Sequence, residues 1–205
     1  MENIKIKKFI LGIMSTNCYL IENGSHSIII DPGDEAENII KYLNENHLKV
    51  KAILLTHGHF DHIGAIDKLV SIYKCKVYVH QNDYDMVYND QLNLSNYYNS
   101  LEIKTTVTAI KEYVNVENFH FDFINLPGHT KGSCFIVLKQ YHIIFSGDVL
   151  FKNSIGRFDF PTSSLNDTKN SMQKIKEVRG DYKVYPGHGE STTLLYEQLH
   201  NPYLQ

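Results

Sequence analysis

Thr56-His57-Gly58-His59-Phe60-Asp61-His62, directly behind the apolar run Val50 to Leu55, decides the reading of this chain. His57 and His59 are two positions apart. In extended backbone alternate side chains project the same way, so both reach one ion. Gly58 between them leaves space and permits a sharp local bend. Asp61 and His62 lie just beyond, where the chain is expected to turn before a helix that begins near Gly64. They point to a second position a few ångströms further on. Catalytic ion pairs sit about 3.5–4 Å apart, a separation this compact run can serve.

Three later turns repeat one device, a strand followed by a glycine and then a His or Asp. They are Leu126-Pro127-Gly128-His129-Thr130, Phe145-Ser146-Gly147-Asp148 and Tyr185-Pro186-Gly187-His188-Gly189. The glycine is expected to let the backbone turn so that the next side chain faces a cleft, on loops held by a rigid sheet. Together the run and the turns supply five imidazoles and two carboxylates, a ligand set for two metals. An open site of that kind implies chemistry on an activated water rather than a structural ion. His26, His47, His80, His120, His142 and His200 carry no such context and read as ordinary surface or core residues. Asp148 by itself would be an ordinary turn residue; the other ligands give it meaning.

Working outward, Ile4 to Ile10, Asn17 to Ile21 and Ser27 to Ile30 read as strands, with Asn23-Gly24 as a hairpin signal. Ala36, Ile39, Ile40 and Leu43 follow at helical spacing, which predicts a helix over roughly Glu35 to Asn46. Ile66, Leu69, Val70 and Tyr73 predict another, and Lys76 to His80 a strand. The Asn-, Asp- and Tyr-rich stretch from Asp83 to Ser100 reads as an ordered surface loop with one short helix near Asp83 to Tyr88. Strands are predicted at about Val107 to Ile110, Phe119 to Leu126, Cys134 to Leu138, His142 to Phe145 and Tyr182 to Tyr185. Ser164-Leu165-Asn166-Asp167 resembles a capping box opening a helix to about Val178 that buries Leu165, Met172 and Ile175. A last helix is expected from about Thr192 to His200.

The 205 residues fit one domain, 1–205, and no Pro- or Gly-Ser-rich linker divides them. Cys18, Cys75 and Cys134 are odd in number and far apart, so neither a disulfide framework nor a thiolate zinc clip is suggested. Cys18 and Cys134 read as small buried hydrophobes. A formal charge of -3 offers no reason to expect a nucleic-acid partner. No apolar run has membrane-spanning length. The start, Met1 to Phe9, lacks the layout of a signal peptide, which makes a cytoplasmic location the expectation.

With these pieces assembled, the chain resembles metallo-β-lactamase-fold hydrolases, most closely the short, single-domain forms of the glyoxalase II-like (hydroxyacylglutathione hydrolase) group. The resemblance runs over nearly the whole chain. It rests on Asp31-Pro32-Gly33, Thr56 to His62, Pro127-Gly128-His129-Thr130, Gly147-Asp148, Gly156-Arg157, Pro186-Gly187-His188-Gly189 and Asn201-Pro202-Tyr203. It implies an α/β fold, an αβ/βα sandwich of two facing mixed sheets with helices outside and the metals at one edge. It also implies an assignment: His57, His59 and His129 on the first metal, Asp61, His62 and His188 on the second, Asp148 bridging. Zinc suits imidazole-rich ligation best, and iron or manganese also fit. Longer glyoxalase II enzymes have a C-terminal helical region and a Lys-Phe-Tyr sequence near the substrate thiol. This chain ends before the former and has Arg157-Phe158-Asp159 in place of the latter.

The expected activity is hydrolysis of a small-molecule thioester of the S-2-hydroxyacylglutathione type by metal-held hydroxide. Metals lower the pKa of bound water and polarise the carbonyl, and a leaving thiolate needs no dedicated general acid. Asp61 has a second candidate role, orienting the nucleophile, and Asp31 a candidate role bonding a ligand imidazole. Arg157 and Lys131 are candidates for holding a substrate carboxylate. Tyr84, Tyr88, Tyr97 and Tyr98 are candidates for the cleft mouth or for packing of the loop. Other chemistries of the same fold stay open: a persulfide dioxygenase with a single iron, a lactonase, or a phosphodiesterase. A class B β-lactamase fits less well, with no Cys in a ligand turn and no export signal. A non-enzymatic module would have lost ligands, and none is missing.

Overall fold

The computed structural model describes residues 4–205; Met1 to Asn3, part of the stretch read above for a signal peptide, lie outside the described residues. The first sheet takes β1 (Lys5–Leu11), β2 (Thr16–Asn23), β3 (His26–Ile30), β4 (Lys49–Leu55), β5 (Lys76–His80) and β6 (Val107–Ile110) in that spatial order. The second takes β7 (Tyr113–Val116), β8 (Phe119–Asn125), β9 (Cys134–Leu138), β10 (Ile143–Gly147), β11 (Lys183–Pro186) and β12 (Thr192–Thr193), again in order. Both sheets are mixed. The first is antiparallel through β3 and parallel from β3 to β6, and the second is antiparallel except for the β10–β11 pair. The helices are α1 (Ala36–Glu45), α2 (Phe60–Ile63), α3 (Ile66–Tyr73), α4 (Tyr84–Val87), α5 (Leu165–Glu177) and α6 (Leu194–His200).

Alternation along the strands builds the layers. A strand buried on both faces sends successive side chains to opposite sides. In the first sheet Tyr19, Ile21, Ile28, Ile30, Ala52 and Leu54 face inward and meet Phe121, Phe123, Ile136 and Phe145 of the second sheet. The intervening Leu20, Ile29, Ile53 and Leu55 face outward, against Ile39 and Leu43 of α1 and Ile66 and Leu69 of α3. In the second sheet Phe135, Val137 and Ile144 face out, against Met172 and Ile175 of α5 and Leu194 of α6. The result is helix, sheet, sheet, helix, the expected sandwich.

The elements agree with the sequence reading to within a residue or two at most ends, and four differences stand out. The hairpin at Asn23-Gly24 forms, with Gly24 at φ 57°. Ser164 caps α5 as expected, accepting a hydrogen bond from the Asp167 amide. Leu165, however, is 50% exposed rather than buried: it occupies the first helical position, where the helix has not yet turned its face onto the sheet. Tyr113–Val116 forms a strand that the sequence reading left unassigned: its only apolar aliphatics are Val114 and Val116, set between the polar pairs Lys111-Glu112 and Glu117-Asn118. Asp61 and His62 precede α3 as expected, but the turn they occupy is itself one turn of helix, α2. Thr192 and Thr193 end the second sheet rather than opening the last helix. Among the described residues no helix is long and apolar enough to cross a membrane.

Candidate metal centre

The seven predicted ligand side chains come together at one edge of the sandwich, five of them just after strands and Asp61 and His62 in α2. His57 and His59 follow β4, His129 follows β8, Asp148 follows β10 and His188 follows β11. They meet in three overlapping groups, His57/His59/His129, His57/His62/Asp148 and Asp61/His62/His188, with the ligand atoms of each group within 4.8 Å of one another. His59 Nδ1 lies 3.1 Å from His57 Nε2 and 2.9 Å from His129 Nε2. His188 Nε2 lies 3.4 Å from Asp61 Oδ2, and His62 Nε2 lies 3.6 Å from the same oxygen. Asp148 stands between the groups, its two oxygens 3.5 Å from His62, His129 and His188 nitrogens.

This donor set fits two divalent cations. A tetrahedral ion with nitrogen bonds of 2.0–2.1 Å spaces its donors by about 3.3 Å, close to the separations above. His62 Nε2 and Asp148 Oδ1 are buried with no hydrogen-bond partner. Buried polar atoms left in that state are costly unless something charged takes their lone pairs.

The protonation balance favours positive charge at the centre. Burial, reinforced by His62, His59 and His129, pushes the His57 imidazole well below its ordinary value, and burial likewise takes His59 down to about 3. Neutral imidazoles are the ligating form. Burial opposes ionisation of Asp61, but His62, His188 and Thr16 outweigh it and lower the carboxyl to about 2. Burial also opposes ionisation of Asp148, yet His62 and His188 hold it well below the usual carboxylate range. His62 is raised against burial by Asp61, Asp148 and Asp31, and His188 is raised to about 9 by its bonds to Asp148 and Asp61. The two carboxylates thus demand cations beside them, whether protons on imidazoles or metal ions.

Around the ligands lies a shell of orienting contacts. Asp31 accepts from the Thr56 amide at 2.8 Å and the Thr56 hydroxyl at 2.6 Å, and its Oδ2 lies 3.0 Å from His62 Nδ1. The bond to Nδ1 leaves His62 Nε2 free for the centre, so Asp31 has the orienting position considered for it. His129 Nδ1 donates to the Arg157 carbonyl at 2.8 Å, which fixes that ring's tautomer. Two contributors had no sequence signal. Thr16 donates to Asp61 Oδ2 at 2.7 Å. Asp83, fully buried, accepts from the Gly58 amide at 3.1 Å and from the Thr130 hydroxyl and Gly132 amide at 2.6 Å each. One carboxylate therefore ties the loop of His57 and His59 to the loop of His129. Nothing local marks Asp83; it belongs to an Asn- and Asp-rich stretch where any carboxylate looks like a turn residue.

The three glycine turns are not one device. Gly128 and Gly147 do bend the chain at positive φ, 149° and 49°. Gly187 instead provides clearance: a Cβ there would overlap Asp148 Oδ1 and lie 2.7 Å from His62 Cε1. His26, His47, His80, His120, His142 and His200 all lie outside the three ligand groups.

Above the centre opens a cleft of about 730 Å³, with His59, Asp61, His129, Asp148 and His188 at its floor. Arg157 lines it, but Lys131 is exposed and is not among its walls. Tyr97 and Tyr98 line the mouth. Tyr84 packs against the core and Tyr88 bonds Thr105 and Val107, so those two pin the loop instead.

Residues 11–188 match the Metallo-beta-lactamase superfamily. The probable metallo-hydrolase YqgX of Bacillus subtilis is 34% identical over 98% of both chains. The hydroxyacylglutathione hydrolase GloC of Haemophilus influenzae is 31% identical over 92% of both. Among solved structures, BLEG-1, described as a B3 metallo-beta-lactamase, superposes with a TM-score of 0.92 at 33% identity, covering 98% of this chain and all of that one. TTHA1623 in a di-iron-bound form superposes with a TM-score of 0.87 at 33% identity, covering 97% of this chain and all of that one.

Proposed function

We propose that this chain, which belongs to the metallo-beta-lactamase superfamily and is a metal-dependent hydrolase, cleaves thioesters of the S-2-hydroxyacyl type at a dinuclear centre. The observation that carries the reading is the shared position of Asp148, within 3.5 Å of nitrogens from both ligand groups. In it His57, His59 and His129 would hold one cation and Asp61, His62 and His188 the other, with Asp148 within reach of both groups. Divalent ions in such a site supply a water of lowered pKa and a Lewis acid for the carbonyl oxygen. The chain's own residues do the rest. Asp31 and the Arg157 carbonyl set the orientation of His62 and His129. Thr16 donates to Asp61 Oδ2 and so fixes the carboxylate oxygen that faces His62 and His188. A thiolate leaves without a proton, which suits a cleft in which, among the described residues, no lysine or cysteine lines the walls.

The identity to GloC supports the thioester; the di-iron form of TTHA1623 supports iron beside zinc and manganese as an occupant. The test is a substrate panel on protein loaded with each metal, with elemental analysis of every sample: a lactoyl thioester, a lactone, a phosphodiester, a persulfide and, because of the likeness to BLEG-1, a β-lactam. Two metals per chain and preferred cleavage of the thioester are expected. Turnover of the phosphodiester or β-lactam with the thioester untouched would overturn the reading.

A further inference from the structure

The cleft walls carry little charge beyond the metal ligands. Apart from those ligands the walls are mostly apolar, with Met14, Phe60, Leu94, Tyr98, Phe151 and Ile155 among them. Among the described residues Arg157 is the one lysine or arginine that lines it. Its guanidinium is already engaged on two sides. Nε and Nη2 donate to the two oxygens of Asp159 at 2.9 and 2.8 Å, a bidentate pair. The same group lies 4.6 Å from the centroid of Phe160, whose ring packs edge-on against His59 and His129.

We propose that Asp159 sets the specificity of the site by occupying Arg157, so that the cleft accepts thioesters whose thiol half is uncharged and apolar rather than one bearing carboxylates. The proposal rests on the thioesterase reading for its chemistry, though not for its geometry. Asp159 is two residues from Arg157, and a tethered partner acts at an effective concentration of order millimolar or higher. A substrate carboxylate must displace that partner, in a bidentate geometry it can only equal. It must then sit beside the displaced Asp159, a like charge. Both side chains are exposed, 68% and 61%, so the pair adds little stability. Its consequence is the neutrality of the rim: with Arg157 cancelled, burial of apolar surface against the aromatic wall is the remaining source of affinity for the thiol half.

The test compares two non-hydrolysable thioethers on the metal-loaded full chain by calorimetry: S-hexylglutathione, which has two carboxylates, and neutral S-hexyl-N-acetylcysteamine. Wild type should bind the neutral ligand about five-fold tighter or better, the size of one exposed charge interaction. Asp159→Asn should shift the ratio of the two affinities about five-fold toward the glutathione ligand. Asp159→Glu should keep the wild-type ratio, and Arg157→Gln combined with Asp159→Asn should lose the shift. Equal or tighter binding of the glutathione ligand by wild type, or an unchanged ratio in Asp159→Asn, would overturn the proposal. The lactoyl thioesters of glutathione and N-acetylcysteamine, assayed in parallel, separate the two readings. Cleavage of neither sinks the thioesterase reading while the binding ratio still reports on Asp159. Cleavage with a glutathione preference does the opposite.

Discussion

The two halves of the centre are assembled in different ways. Thr56 to His62 brings four of the proposed ligand side chains on one unbroken segment; the other three, His129, Asp148 and His188, arrive singly from turns spread over 60 residues. In the first half the ligands need only a local bend plus anchors, and the anchors are buried carboxylates, Asp31 and Asp83. In the second half position comes from the sheet. The parallel pairing of β10 with β11 sets Gly147 opposite Pro186, and the Gly187 amide donates to the Gly147 carbonyl at 2.8 Å, so Asp148 and His188 are delivered side by side. A further bond joins the sheets at this edge, from the Asn17 amide to the Gly187 carbonyl at 2.7 Å. A compact motif is thus robust to what happens elsewhere, whereas the dispersed ligands inherit every error in strand register.

The largest effect should come where the halves touch. Asp148→Ala removes the one side chain near nitrogens of both groups, and activity should fall by about 10³-fold or more, matching loss of several kcal/mol of metal-derived stabilisation. Elemental analysis should give fewer than two metals per chain. Full activity with both metals kept would dissolve the idea of a shared carboxylate. Gly187→Ala should behave almost as badly, because its methyl would occupy the space of Asp148 Oδ1.

Next come the anchors, which ask whether the compact half depends on its surroundings after all. Asp31→Asn and Asp83→Asn should each weaken metal binding about 10- to 100-fold, the range for residues that orient ligands. Competition with a chromogenic chelator measures it. The two should differ in kind. Asp31 touches His62, so its variant should loosen the metal held with Asp61 and His188. Asp83 holds the loops of His57, His59 and His129, so its variant should loosen the other. Asp83→Asn should also lower stability by about 1–3 kcal/mol, because an amide cannot accept from all three donors that the carboxylate now satisfies. Metal binding by Asp83→Asn equal to wild type would mean that the loops keep their places without it.

Legibility follows the same division. The compact run was readable because its ligands are neighbours in sequence, and the dispersed ligands because each stands beside a glycine behind an apolar strand. Residues that work at a distance were not. Asp83 is 25 residues from Gly58 and 47 from Thr130, and Thr16 is 45 from Asp61; no spacing rule links such pairs. Arg157 was singled out for its charge, yet its carbonyl is what meets His129, and any residue has a carbonyl. Strands were readable down to the four-residue β6 and β11, and the reading failed at Tyr113–Val116, where two valines stand among polar neighbours. Periodicity misplaced Leu165, since it counts positions on a helix and cannot see where the helix first touches the sheet.

That last difference gives a smaller prediction within the second half. Ile175→Ala, at a fully buried site against the outer face of the sheet, should cost about 2–5 kcal/mol. Leu165→Ala, at a half-exposed site directly after the cap, should cost well under about 1 kcal/mol. Thermal or urea unfolding measures both; comparable losses would mean that Leu165 is packed in solution after all.

The smallest effect concerns the thiols, which lie in both halves and serve neither. Cys18 and Cys134 are fully buried, and burial pushes both thiols well above their ordinary value. Burial raises Cys75 to about 11. The thiolate is the reactive form, so at pH 8 Cys75 is ionised in only about one molecule in 10³, and burial holds Cys18 and Cys134 in the thiol form as well. A thiol reagent applied to native protein at that pH should therefore label almost nothing, while in denaturant all three cysteines should react. The linkage has a definite sign. An acid whose folded pKa lies above its unfolded value loses its proton first in the unfolded chain. The folded state thus loses stability as pH rises past the ordinary thiol value of 9.0. Unfolding midpoints should fall between about pH 9 and 11 by more than in a variant with all three cysteines replaced by alanine or serine. Rapid native labelling of Cys18 or Cys134 at pH 8 would show that a sheet opens far enough to expose β2 or β9, a motion that the tightly paired edge at Asn17 and Gly187 argues against.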